Sequence, residues 1–399
     1  MKRNVVTLLA VSVLFGTSVG IYEFVLPFYL QEQGISFEAM GFIFAVASAA
    51  ILGLRVGIGT LSDMWGRKIF YSLALILAAA AQWLTALSTR VAGQALLKTI
   101  RDTAFATREI MHPIVLFEES ERRFLDLIGK TRGLEYLFQA GGTLIAGATI
   151  VALGTGGNLK LAGVLAGAAF VVFATAFRER PIPIRLAGIS LREMVGLGGM
   201  PRNLKVIAVS SFIFTIGLSS SHCFIMPLFF AEKFAMGRAT VAWIMFAHRL
   251  TLGLPMLVVG QLPIRNYKAW YIGTMLIEGV AIGGAAVIPG ALGATAVWLL
   301  HDLIGAGVWA PIQNTLIQQH SRPDARGLDV GRVAAIGLVG GIFGPFIAGY
   351  LAAVWIGGPF LVSGVLTMLA AVPLAWLRLD AGLPDGPRAR SDSAAGGGG

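Results

Sequence analysis

The sequence predicts an all-α membrane protein with twelve transmembrane helices in two pseudo-symmetric six-helix bundles. Three observations predict it. Apolar residues fill 56% of 399 positions and charged residues 13%, with a mean hydropathy of +0.76; a soluble protein of this size lacks the polar surface to cover such a core. The apolar residues also fall in runs of about 20, the length that crosses a hydrocarbon core. Finally, the chain repeats itself at one offset. Phe24, Pro27 and Glu32 in FVLPFYLQE match Phe224, Pro227 and Glu232 in FIMPLFFAE, and Asp102, Arg132 and Gly141 match Asp302, Arg332 and Gly341.

Runs between glycine, proline and charge clusters place spans 1 to 6 at 5–29, 38–58, 69–88, 94–115, 132–153 and 160–177. Spans 7 to 12 fall at 205–230, 239–260, 269–288, 291–317, 331–353 and 358–377. Residues 1–177 are thus expected to form the first bundle, 178–204 a basic cytoplasmic linker, 205–378 the second bundle and 379–399 a disordered tail. Lys2-Arg3 ahead of an apolar stretch resembles a signal peptide, but the recurrence of the same pattern at Phe212–Phe230 predicts an uncleaved first span.

With the N-terminus in the cytoplasm, 22 lysines and arginines lie in loops on that side, and only Arg90, Lys160, Lys233 and Arg238 on the other. Positive charge stays inside, so a multi-pass protein of the cell inner membrane with both termini cytoplasmic is expected. Dispersal over many loops explains the net charge of +10 and argues against a nucleic-acid partner, which needs cations gathered on one face. Cys223, the single cysteine, excludes an intrachain disulfide; no metal constellation or cofactor motif is legible, and no glycine loop with lysine cradles ATP phosphates. A monomer is expected.

An even number of spans per half sets the halves parallel, with a shared cavity at mid-depth. Span 4 carries the charge for it. Lys98, Arg101, Asp102, Phe105, Arg108, Glu109 and His112 recur at spacings of three and four and share one stripe. An ion facing lipid costs roughly 2.5 kcal/mol or more, so the stripe faces the bundle interior or a water-filled cavity. Two roles stay open: solute recognition, or a buried salt-bridge network with Lys98–Asp102 as an i,i+4 pair. Three cations against two acids leave one positive charge, which favours an anionic or zwitterionic solute. Glu23, one turn before Pro27, is a candidate carrier of a coupling proton. His301 and Asp302 in span 10 lie opposite span 4 under the repeat, as cavity groups or as an interhelical hydrogen bond. His222, His248 and Arg249 are sparser second-half polar groups, and Glu278 is expected to be structural.

Between spans 2 and 3 stands Gly59-Thr60-Leu61-Ser62-Asp63-Met64-Trp65-Gly66-Arg67-Lys68. It resembles the signature loop of the major facilitator superfamily, G-x-L-x-D-x-x-G-R-K, and with the repeat this resemblance covers essentially the whole chain. Met64 departs from it, standing where the family often has a basic residue. The resemblance implies a conformational gate built from Gly59, Asp63, Gly66, Arg67 and Lys68, with Asp63 facing Arg332 or the start of span 11. The second copy, Gly260 to Lys268, lacks the acid and the second glycine. Gly340, Gly344, Pro345 and Gly349 resemble a glycine-proline pattern of the family's proton-driven drug exporters, which theirs carry in span 5; close helix packing with a proline kink is the alternative. The resemblance implies a secondary active transporter, not an enzyme. It would move a small solute across the bilayer by alternating access, coupled to protons, with export ahead of uptake. The alternative is a receptor or assembly factor that reuses the fold without transport.

Overall fold

The computed structural model describes residues 3–119, 124–179, 197–258, 264–322 and 326–379. Residues 180–196 of the expected linker and 380–399 of the expected tail lie outside the described residues, as do the side chains of 53–65, Asp63 among them. Every regular element described is a helix. In the first half these are α1 (Arg3–Glu32), α2 (Phe37–Trp65), α3 (Arg67–Thr85), α4 (Val91–Glu119) and α5 (Phe124–Ala176). In the second they are α6 (Arg202–His222), α7 (Ile225–Lys233), α8 (Arg238–Val258), α9 (Tyr267–Val287), α10 (Ala291–Leu300), a π-helical turn (His301–Ala306), α11 (Gly307–His320), α12 (Arg326–Val354) and α13 (Gly358–Leu374). Seven described stretches are long and apolar enough to cross a bilayer. One of them, Lys130–Ala176, contains predicted spans 5 and 6, separated where Gly154 takes φ +65°.

Packing repeats with the sequence. α1 lies along α5, and its counterpart α6 lies along α12. The halves meet through α2 against α12 and α5 against α8, which exchange under the repeat. Small residues make these approaches possible. A Cβ on Gly344 would stand 2.7 Å from the Ser219 carbonyl carbon, one on Gly340 would overlap the Phe212 carbonyl oxygen, and one on Gly349 would stand 2.6 Å from the Phe37 oxygen. The backbone carbonyl of Pro345 faces Gly41 across the same seam. These four residues therefore serve both contacts of α12. The polar ties are duplicated as well. Asn4 bonds the backbone of Arg178 as Asn203 bonds that of Arg378, and Lys68 Nζ reaches the Phe177 carbonyl at 2.8 Å as Lys268 Nζ reaches that of Leu377 at 3.0 Å.

Three expectations are corrected. α2 runs to Trp65, so Gly59 and Asp63 are helical and the turn is confined to Gly66, whose φ of +95° glycine alone adopts readily. Span 7 is two helices, parted at Cys223 and Phe224. Cys223 is the residue whose carbonyl would have received the N–H that Pro227 lacks. Span 10 is likewise interrupted, by the π turn that begins at His301.

The core divides unevenly. One cluster draws on both halves, combining Ile21, Phe24, Phe28, Leu30 and Ile43 with Phe224, Phe229, Phe230 and Ile244. The other two clusters each draw on one half alone.

Candidate functional site

A cavity of about 280 Å³ lies between the halves. Glu23, Phe44 and Lys98 line it from the first half, and His222, His248 and Arg249 from the second. Its volume lies just below the range of roughly 300–1,000 Å³ usual for small-molecule pockets. The shared core cluster closes it toward the loops at 33–36 and 234–237. Polar contacts between halves reinforce that closed end: Glu32 pairs with Arg238, Gln31 bonds Glu232, and the Arg238 guanidinium lies 5.1 Å from the Phe28 ring centre. Partial burial raises the Glu232 carboxyl above its ordinary range.

Within the cavity wall, Glu23 spans the seam. Its carboxylate accepts a bond from Arg249 Nη2 at 2.8 Å and lies 3.6 Å from Arg101 Nη2. Arg101 also pairs with Asp102 at 3.0 Å, and Lys98 pairs with the other oxygen of Asp102. Lys98 lies 4.3 Å from the Phe44 ring centre and Arg101 4.6 Å from that of Tyr22. The α4 stripe therefore does both things left open by sequence at its Lys98–Asp102 end, forming an ion network and facing the cavity.

The other end of the stripe is different. Arg108 has no exposure and donates to Glu135 Oε1 at 2.5 Å, Glu109 Oε1 at 2.9 Å, the Tyr71 hydroxyl at 3.2 Å and Ser12 Oγ at 3.3 Å. Arg132 pairs with Glu109 and lies 3.8 Å from Glu135, and His112 Nδ1 is 2.9 Å from the Tyr71 hydroxyl. Arg108 was expected in the cavity; it belongs to the packed interior of the first half, because α1, α3 and α5 surround it. Glu109 is held in the same network. Glu135, which closes it, was not singled out from the sequence, although an acid three residues after Arg132 inside a predicted span is a readable signal.

In the second half, His301 and Asp302 are buried on the π turn, and His222 and His248 converge on them. His248 Nε2 lies 2.7 Å and His301 Nε2 3.4 Å from Asp302 carboxylate oxygens. No metal was expected from the sequence; the three imidazoles, far apart in the chain, nevertheless place ligand atoms within 4.8 Å of one another. Glu278, expected to be structural, is buried and accepts a bond from Trp309 Nε1.

Of the expected gate, Gly66 and Lys68 are tied to the chain after α5. Lys68 N donates to Glu179 Oε1 at 2.9 Å, and a Cβ on Gly66 would stand 2.9 Å from that same oxygen. Arg67 is buried, and Arg332 donates to the Gly198 carbonyl at 3.1 Å. The side chain of Asp63 lies outside the described residues.

The family model described as Major Facilitator Superfamily matches residues 207–396. Among solved structures, a mutant form of the nucleoside transporter NupG aligns with TM-score 0.76 and 14% identity over 93% of this chain and 98% of that one. A bacterial homolog of the human lysosomal transporter Spinster, in an inward-facing and occupied conformation, aligns with TM-score 0.77 and 12% identity over 94% and 97%. The resemblance to the major facilitator superfamily is confirmed. The match in sequence falls on the second half, whereas the signature loop stands in the first, so the two lines of recognition are independent. No curated protein sequence matches the chain. The major facilitator fold makes this a multi-pass membrane protein.

Proposed function

We propose that this major facilitator chain is a secondary active transporter that moves a small anionic or zwitterionic solute by alternating access, coupled to protons. The observation that carries the reading is Glu23, a cavity-facing carboxylate bonded to Arg249 of the second half and flanked by Arg101 of the first. Protonating it would release Arg249 and loosen the seam between the halves; deprotonating it would restore the tie. Lys98, Arg101 and Arg249 against Glu23 and Asp102 leave one positive charge at the wall, which suits a solute carrying a carboxylate or phosphate. The distribution of loop cations favours a closed end outside and termini in the cytoplasm of a cell whose inner membrane holds the protein; the cavity would then open inward. Asp63, Gly66 and Lys68, with Arg332 opposite, would form the inner gate, and export stays ahead of uptake.

Purified protein in liposomes, given a panel of labelled anionic and zwitterionic metabolites, tests this. An imposed pH gradient should drive accumulation of the substrate, and Glu23→Gln should abolish the dependence on the gradient while exchange of pre-loaded substrate continues. Accumulation that follows membrane potential alone would remove proton coupling from the account.

A further inference from the structure

We propose that His222, His248 and His301, with Asp302, form a binding site for a divalent transition-metal cation of the zinc class in the second-half wall of the cavity. The argument begins with lone pairs. His301 Nδ1 faces the Trp298 carbonyl oxygen, which only accepts, so Nδ1 carries the proton and Nε2 presents a lone pair. His222 Nδ1 lies 2.7 Å from Ser221 Oγ, whose hydrogen has the Ser363 hydroxyl at 2.8 Å and the Leu218 carbonyl, which only accepts, at 3.3 Å; with Ser221 donating to either it accepts from Nδ1–H, and His222 Nε2 also presents a lone pair. These two Nε2 atoms face each other at 2.9 Å. Two lone pairs at that distance repel unless a positive species sits between them.

The surroundings favour a metal over a bare proton. Histidine ligands characteristically donate their distal N–H to a carbonyl or a polar side chain, the arrangement both rings already have. Among the described residues His248, 5% exposed, has no hydrogen-bond partner at Nδ1, and its Nε2 and Asp302 Oδ2 have only each other, at 2.7 Å. Buried polar atoms are rarely left so, and His248 sits against both Asp302 and His301. Among the described residues the ion pairs of Asp302 are with imidazoles alone, so its buried negative charge has no fixed cation beside it. A divalent ion supplies one. No two of the three ligand atoms are more than 4.8 Å apart, so a point exists at most about 2.8 Å from each, and imidazole–zinc bonds of about 2.0–2.1 Å are reached by small side-chain adjustments. Trp298 stacks on His248 with ring centres 4.5 Å apart and holds one wall of the site. His222 ends a helix at its break and His301 opens the π turn, a local irregularity frequent at functional sites. His222 and His248 line the cavity, which gives the ion its route in. The site needs the cavity but not the transport cycle.

The test is Zn²⁺ titration of the untagged full-length protein in detergent by calorimetry, with Co²⁺ absorption and zinc K-edge spectroscopy on the unsubstituted protein. One Zn²⁺ per chain is expected, with imidazole scattering at about 2.0 Å and a four-coordinate Co²⁺ spectrum. His248→Gln and His222→Gln should each weaken Zn²⁺ at least about tenfold. Absence of one-to-one binding, a six-coordinate oxygen-type spectrum, or unchanged affinity in both variants would overturn the site. Because spectroscopy reads the unsubstituted protein, poor folding of a variant does not blunt the test.

Discussion

The two halves hold equivalent aspartates in unlike company. At one constant offset, Lys98, Arg101 and Asp102 correspond to Trp298, His301 and Asp302. Asp102 is neutralised by two permanent cations, whereas the ion pairs described for Asp302 are with His248 and His301. The same divergence recurs deeper in each half. Tyr71 packs beside Arg108 and its carboxylate partners; its counterpart Tyr271 stacks on Trp309, which in turn bonds Glu278. Duplication preserved the acid and the tyrosine and changed what compensates them. The first half became a fixed electrostatic framework, and the second kept groups that gain or lose a cation.

Breaking the fixed framework should have the largest effect. Arg108→Ala strands Glu135 and Glu109 in the interior and should lower stability by about 3–5 kcal/mol, read by thermal unfolding in detergent. In the second half, Trp309→Phe, beside Tyr271, loses one donor to Glu278 and should cost about 1–3 kcal/mol. Equal losses would show that the halves do not differ in this way. Next comes the aspartate pair. Asp102→Asn leaves Lys98 and Arg101 undercompensated and should cost about 3 kcal/mol or more, while Asp302→Asn, among imidazoles, should cost about 1 kcal/mol in metal-free buffer.

Glycines of the two halves give a smaller contrast. Gly344→Ala puts a methyl against the Ser219 backbone and should cost about 1–3 kcal/mol. Gly141, with nothing among the described residues within 4 Å of an added Cβ, should accept alanine with a change below about 0.5 kcal/mol. The smallest effect belongs to the rim. Glu32→Gln removes a part-exposed pair with Arg238 and should shift stability by roughly 0.2–1 kcal/mol.

These contrasts also show what the sequence could reveal. Helical spans, the duplication and the crowding of charge on span 4 follow from composition and spacing, because lipid penalises stray ions and sets helix length. Where the stripe divides between cavity and interior does not follow, since that depends on α1, α3 and α5 closing around Arg108. Convergence of His222, His248 and His301 is likewise tertiary. The break at Cys223 could have been read from Pro227, but Pro27 at the equivalent place leaves α1 continuous, so proline alone did not decide it. The π turn has no marker in the sequence.

The central claim is that Glu23 ties two moving halves together across one cavity. Spin labels at positions 33 and 237, on the closed rims of opposite halves, measure this directly by electron–electron distance distributions in nanodiscs. Unsubstituted protein should give one dominant short distance at neutral pH. Glu23→Gln should add a second, longer population, because the bond to Arg249 is gone. An identical distribution in both proteins would contradict the account.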